Sequence, residues 1–156
     1  MSDVFIICLA LFLGSLLGSF TTMLIHRLHF DEKGIFGGRS QCPACHHILG
    51  PQNLVPLFSW LFQRGKCAFC RTPISVFYPT VELIFILLYG LFAWKFWGTV
   101  QFWPIMIFLF FILVLFFYDA RFFEVDRRIS FPAILLALLW AFFRAEPWDQ
   151  YLLGGG

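Results

Sequence analysis

The chain has 156 residues, of which 60% are hydrophobic and 13% are charged, and its net charge is +2. A soluble domain carries about 25% charged residues, so this composition excludes an ordinary soluble domain, and it is too apolar for a disordered chain. The composition predicts an integral membrane protein of the all-α class, and the small net charge gives no reason to expect nucleic acid as a partner.

Four apolar runs predict about four transmembrane helices: residues 4–25, 76–94, 102–118 and 129–143. The first run has no charge and is long enough, at ~1.5 Å per residue, to span a hydrocarbon core of roughly 30 Å. It does not resemble a cleaved signal peptide, because Asp3 is the only charge before it and a basic start is missing. Gly14 and Gly18 form a GxxxG pattern, which predicts one small helix face for close helix packing.

A polar, cysteine-rich segment separates the first run from the others. The sequence therefore predicts a first transmembrane helix in residues 1–25, a small inserted domain in 26–75, and the remaining membrane helices in 76–156. Six of the eleven basic residues lie in the inserted segment and three more follow the third run. The positive-inside rule places both segments in the cytoplasm and the N-terminus outside.

Two CxxC pairs, Cys42–Cys45 and Cys67–Cys70, are separated by 21 residues. Two such turns supply the tetrahedral four-sulfur shell that zinc prefers, and a reducing cytoplasm disfavours disulfides. The pattern predicts a structural zinc site that stabilises a domain too small to fold on its core alone. A redox pair of dithiols is the alternative, and His47 could replace one thiolate. Cys8, alone in the first run, is expected to be a packing residue.

Asp119 follows the third apolar run directly, at the expected membrane boundary. Ionisable residues at such a boundary are costly and suggest a function. The alternative is that Asp119 only ends the span, within a loop that contains several other charges.

The chain resembles the N-terminal part of the prepilin peptidases, membrane aspartyl proteases that process type IV pilins and type II secretion pseudopilins. The resemblance rests on these segments: 18–28 with its Gly-Ser-Phe and Arg-Leu, 39–47, 53–61, 65–70 and 74–82. It continues more weakly at Asp119 and Pro132, where Asp126 and Arg127 stand in place of the family's Pro-Asp.

The resemblance implies a location in the bacterial inner membrane and two activities. The family cleaves the leader of a prepilin at the cytoplasmic face and methylates the new N-terminus with S-adenosylmethionine. Two aspartates act together in cleavage, and Asp119 matches the first. No residue is assigned to S-adenosylmethionine, because no glycine-rich nucleotide loop follows a strand.

The family's second aspartate lies in a Gly-x-Gly-Asp motif that this sequence does not contain. Asp126 is seven residues from Asp119, ~10.5 Å along a helix, and Asp149 is expected on the opposite side of the membrane. We therefore expect a truncated, by itself inactive part of a prepilin peptidase. The alternatives are a non-catalytic zinc-ribbon scaffold in pilus or secretion assembly, and a membrane thiol oxidoreductase.

Overall fold

The computed structural model describes residues 3–30 and 40–143, and these residues are mostly helical. The described residues form five α-helices: α1 (Asp3–His29), α2 (Phe58–Phe62), α3 (Phe77–Phe96), α4 (Phe102–Phe122) and α5 (Arg127–Phe143). A 3₁₀ turn occupies Pro51–Asn53. In the described part of the chain, extended pairing is limited to two isolated antiparallel bridges. The prediction of an all-α membrane protein with a small cysteine domain between its first two long helices is confirmed.

Three helices, α1, α3 and α4, are long and apolar enough to cross a membrane. Each continues for two to four residues past the C-terminal end of the apolar run that predicted it. The helix at the fourth predicted span, α5, has 17 residues up to the last described position, and Pro132 lies inside it. At ~25 Å it is at the lower limit for a membrane span, so the fourth span stays a prediction.

Helix α1 packs against α3 through the small face that the sequence predicted. A Cβ atom added at Gly14 would lie 2.8 Å from the backbone oxygen of Phe85, and one added at Gly18 would lie 2.8 Å from the Cα of Glu82. Real Cβ atoms do not approach backbone so closely, so only glycine permits this helix separation. The prediction of a close-packing GxxxG face is confirmed.

The core of the helical part lies along α3, between α1 and α4. Val81, Phe85 and Ala93 of α3 and Val114 of α4 are fully buried. Within this core, the Tyr89 hydroxyl donates a hydrogen bond of 2.9 Å to the backbone oxygen of Met106.

Cys8 is exposed on the outer surface of α1, so the expectation that it is a packing residue is wrong. Its helix buries the opposite face against α3.

The C-terminal end of α1 contacts the loop between α4 and α5. Arg128 Nη2 donates a hydrogen bond of 2.7 Å to the backbone oxygen of Leu28. The His29 ring stacks on Phe122 with 3.6 Å between the centroids, and His29 Nδ1 lies 3.8 Å from a carboxylate oxygen of Glu124. The cysteine segment and the segment after α4, which carry most of the basic residues, therefore lie at the same end of the helices. This is expected if α1, α3 and α4 cross the membrane in alternating directions.

Candidate functional site

The cysteine domain is built from two knuckles with the same backbone geometry, 25 residues apart. Cys42 N–H donates to the His47 oxygen at 3.0 Å, and Cys67 N–H donates to the Thr72 oxygen at 2.9 Å. Each turn closes through a residue with positive φ, which is 55° at His46 and 61° at Arg71. The backbone thus forms the same turn twice, an internal repeat of which the sequence shows only the CxxC spacing.

These two knuckles bring the four predicted metal ligands together. The Sγ atoms of Cys42, Cys45, Cys67 and Cys70 all lie within 4.8 Å of one another, and Cys42 Sγ is 3.8 Å from Cys70 Sγ. A regular tetrahedron with zinc–sulfur bonds of about 2.3 Å has edges of about 3.8 Å. The four thiols are therefore close enough together to share one four-coordinate metal ion.

Hydrogen bonding favours the thiolate form at two of these positions. Thr72 Oγ1 lies 3.2 Å from Cys70 Sγ, and the hydrogen bonds from the Thr72 side chain and backbone lower the pKa of Cys70 to about 6. Hydrogen bonds from the backbone at Cys45 and Ala44 lower the pKa of Cys42 as well. Because the thiolate is the form that binds metal, these hydrogen bonds favour metal binding by Cys42 and Cys70.

The two adjacent histidines are not members of the cysteine cluster. The His47 ring packs on Phe69 of the other knuckle, with 3.6 Å between the centroids, and His46 supplies the left-handed turn after Cys45. Among the described residues, the candidate metal cluster consists of four cysteines, so a histidine is not needed to complete it.

Glu82 connects the cysteine domain to the membrane helices. Glu82 is 7% exposed, and its carboxylate accepts a hydrogen bond of 2.7 Å from the backbone N–H of Leu57. Its backbone packs closely against Gly18 of α1. One residue thus joins α1, α3 and the segment before α2. Glu82 was not among the predicted site residues, although an acidic residue inside an apolar helix is itself a signal of function.

A cavity of about 590 Å³ lies between the cysteine domain and the membrane helices. Its lining includes Glu82 and Ser19, together with Trp60 and Arg121. The Arg121 guanidinium, from the last turn of α4, also lies 5.5 Å from the centre of the Phe77 ring. The cavity therefore combines polar, charged and aromatic groups contributed by both parts of the molecule.

Asp119 lies in the last turn of α4 and is exposed. It is not a member of the cysteine cluster. Its backbone oxygen accepts a hydrogen bond of 2.7 Å from Phe123 N–H, which closes α4 through a left-handed residue. The carboxylate is thus placed at the end of an apolar helix, on the side of the cysteine domain.

Asp126 has a structural role at the start of α5. Its Oδ1 accepts a hydrogen bond of 2.7 Å from the backbone N–H of Arg128, the position of a helix N-cap. Burial by itself raises the pKa of Asp126, but the hydrogen bonds from Arg128 outweigh it and the pKa lies below its usual range. Asp126 is thus a fixed, ionised partner of Arg128. Asp149 lies outside the described residues.

Residues 12–96 match the protein family described as the Bacterial Peptidase A24 N-terminal domain. Curated proteins named prepilin leader peptidase/N-methyltransferase are similar to the chain over a longer range. The protein of Myxococcus xanthus is 35% identical over 130 residues, which cover 83% of this chain and 38% of the relative. The protein of Stutzerimonas stutzeri is 34% identical and covers 87% of this chain and 53% of the relative.

The protein of Bacillus subtilis is 32% identical and covers 90% of this chain and 56% of the relative. The chain thus spans about half the length of most of these curated relatives. No solved structure matches the chain significantly.

Proposed function

The chain belongs to the Bacterial Peptidase A24 N-terminal domain family, and we propose that it is the N-terminal part of a prepilin leader peptidase and N-methyltransferase. The observation that carries this proposal is the family match, which includes both CxxC knuckles and the whole of α3. The substrates are prepilins or pseudopilins. The protein acts in the bacterial cytoplasmic membrane, with the cysteine domain in the cytoplasm.

We propose Asp119 as the first of two catalytic carboxylates. In an aspartyl protease, one carboxylate takes a proton from the attacking water while the other protonates the oxygen of the scissile carbonyl. The exposed position of Asp119 at the end of α4 supports this role, because a peptide bond at the membrane face can reach it. The second carboxylate comes from a part of the protein beyond these 156 residues.

Asp126 is not a suitable second carboxylate. Its oxygens are engaged by the backbone and side chain of Arg128, and its lowered pKa keeps it ionised. A carboxylate in that state does not supply the proton that the carbonyl oxygen needs. The 156 residues by themselves are therefore expected not to cleave a prepilin.

The four cysteines would hold a zinc ion, and its role is structural. Four thiolates fill a tetrahedral shell and leave no position for water or substrate. The ion would join the two knuckles and stabilise a domain with few buried apolar residues. Methylation of the new N-terminus requires a donor, for which we propose S-adenosylmethionine. The amine would take the methyl group from the sulfonium sulfur and lose a proton, and S-adenosylhomocysteine would leave.

The test is a chimera in which residues 1–143 replace the matching part of the Bacillus subtilis relative. Expressed in cells lacking that peptidase, the chimera should shorten a prepilin, visible as a shift in gel mobility. Asp119→Asn should abolish the shift while leaving membrane insertion and zinc content unchanged. Asp126→Asn is the matched control and should be mild, because asparagine is also a good N-cap.

Prepilin cleavage by the Asp119→Asn chimera would contradict the assignment of the catalytic residue. An inserted, zinc-loaded chimera that leaves prepilin intact with Asp119 present would instead favour the non-catalytic scaffold.

A further inference from the structure

Helix α2 of the cysteine domain has an exposed apolar face. Phe58, Leu61 and Phe62 are 61%, 69% and 84% exposed, and their i, i+3, i+4 spacing places them on one side of the helix. Ser59 and Trp60, on the other side, line the cavity. Large exposed apolar side chains clustered on a polar domain mark an interaction surface.

The position of α2 relative to the membrane helices is set by a hydrogen bond. Leu57, the residue before α2, donates its N–H to Glu82 at 2.7 Å. Glu82 is the sixth residue of α3, so this contact lies only ~7.5 Å along the helix from its first residue. The exposed leucines of α3, at 83, 87 and 91, begin immediately after Glu82. Helix α2 is therefore held at the level where the lipid-facing surface of α3 begins.

The charges around α2 match a membrane surface. Residues 51–63 contain no charged side chain, and Arg64 and Lys66 follow directly; both are exposed. Apolar side chains next to basic ones are the pattern of segments that lie in the headgroup region, where the basic groups bind anionic lipids.

The small size of the apolar face argues against a protein partner. A stable protein–protein interface buries about 800 Å² on each side. Three large side chains at about 150–250 Å² each offer less than that, and these three are already partly covered. Partial insertion into a bilayer needs no minimum area, because each buried side chain contributes independently.

We propose that α2 is an interfacial anchor, whose residues Phe58, Leu61 and Phe62 insert into the bilayer that α1, α3 and α4 span. Arg64 and Lys66 contact the lipid phosphates. The cysteine domain is thereby held at the membrane surface in two ways: α2 binds lipid, and Leu57 is hydrogen-bonded to Glu82 of the membrane helix α3. This inference rests on the membrane helices and does not depend on the proposed activity.

The experiment measures the depth of residue 62 in vesicles of phosphatidylethanolamine and phosphatidylglycerol. The 156-residue chain carries Phe62→p-azidophenylalanine, coupled to a nitroxide through the azide so that all cysteines stay free. Collisions with oxygen, which concentrates in lipid, are compared with collisions with a water-soluble nickel chelate. The matched control is the same label at Ile48, an exposed apolar residue in the first knuckle. A second label, at Phe58, tests whether the result at residue 62 is a local effect of one substitution. The zinc content of each labelled protein shows whether the cysteine domain is folded.

We expect oxygen to relax the nitroxide more strongly than the nickel chelate does at residues 62 and 58, and the chelate to be the stronger at residue 48. The ratio of oxygen collisions to chelate collisions should differ at least severalfold between these positions. Nickel-dominated relaxation at 62 and 58 would show that α2 lies in water and would overturn the proposal. Weak relaxation by both reagents would show that protein covers α2, and it would overturn the proposal equally.

Discussion

Glu82 is the residue on which the junction between the cysteine domain and the membrane helices depends. Glu82→Ala leaves the partly buried Leu57 N–H without its partner, and an unsatisfied donor of this kind costs at most about 1–3 kcal/mol. We expect a lower unfolding temperature in detergent and faster tryptic cleavage at Arg64 and Lys66. Glu82→Gln keeps an oxygen acceptor and should be closer to the original protein. Equal protease resistance of the alanine variant would contradict the role assigned to this hydrogen bond.

The four cysteines allow a test with an internal control. Cys42→Ser or Cys67→Ser removes a buried ligand from the cluster, so bound zinc should fall from about one equivalent to below half. Cys8→Ser removes a thiol of the exposed α1 surface and should leave the zinc content unchanged. Metal analysis of protein purified under reducing conditions measures both. Undiminished zinc in Cys42→Ser would mean that the ion binds elsewhere.

At the scale of the elements, the contact between α1 and α3 requires glycine. Gly14→Leu places a large side chain where even one Cβ would lie 2.8 Å from backbone, so the helices must separate. Overpacking of this kind costs typically 1–3 kcal/mol, and thermal unfolding in detergent should detect it. Cys8→Leu adds a similar side chain to the exposed face of the same helix and should be neutral. A Gly14→Leu variant as stable as the control would show that α1 can move without cost.

At the scale of the whole molecule, the proposed orientation predicts on which side of the membrane a reporter domain fused to each loop lies. The loop between α3 and α4 carries few basic residues, whereas the two segments at the opposite end carry most of them. The positive-inside rule then places a reporter fused after Arg64 or Arg128 in the cytoplasm and one fused after Gly98 in the periplasm. A periplasmic readout at Arg64 would reverse the orientation and weaken the case for a reduced metal site.

Much of the fold could be predicted from local composition. A long uncharged run can only be a helix in lipid, because every backbone hydrogen bond must be made within the segment. The ends of α1, α3 and α4 were therefore predicted to within a few residues. It was least decisive for α5, because 17 residues with an internal proline suit either a short span or a surface helix.

The candidate metal ligands were also evident from the sequence, because each CxxC spacing by itself forces two thiols toward one centre. The sequence determined the membrane class, the small face of α1 and the four sulfur ligands, since apolar runs, the GxxxG spacing and each CxxC pair are patterns of residues close together in the chain. Only the tertiary structure decided that Glu82 joins α1, α3 and Leu57, that His47 packs on Phe69, and that α2 turns its apolar face outward. Those contacts join residues up to several dozen positions apart, and their geometry follows from how the helices pack.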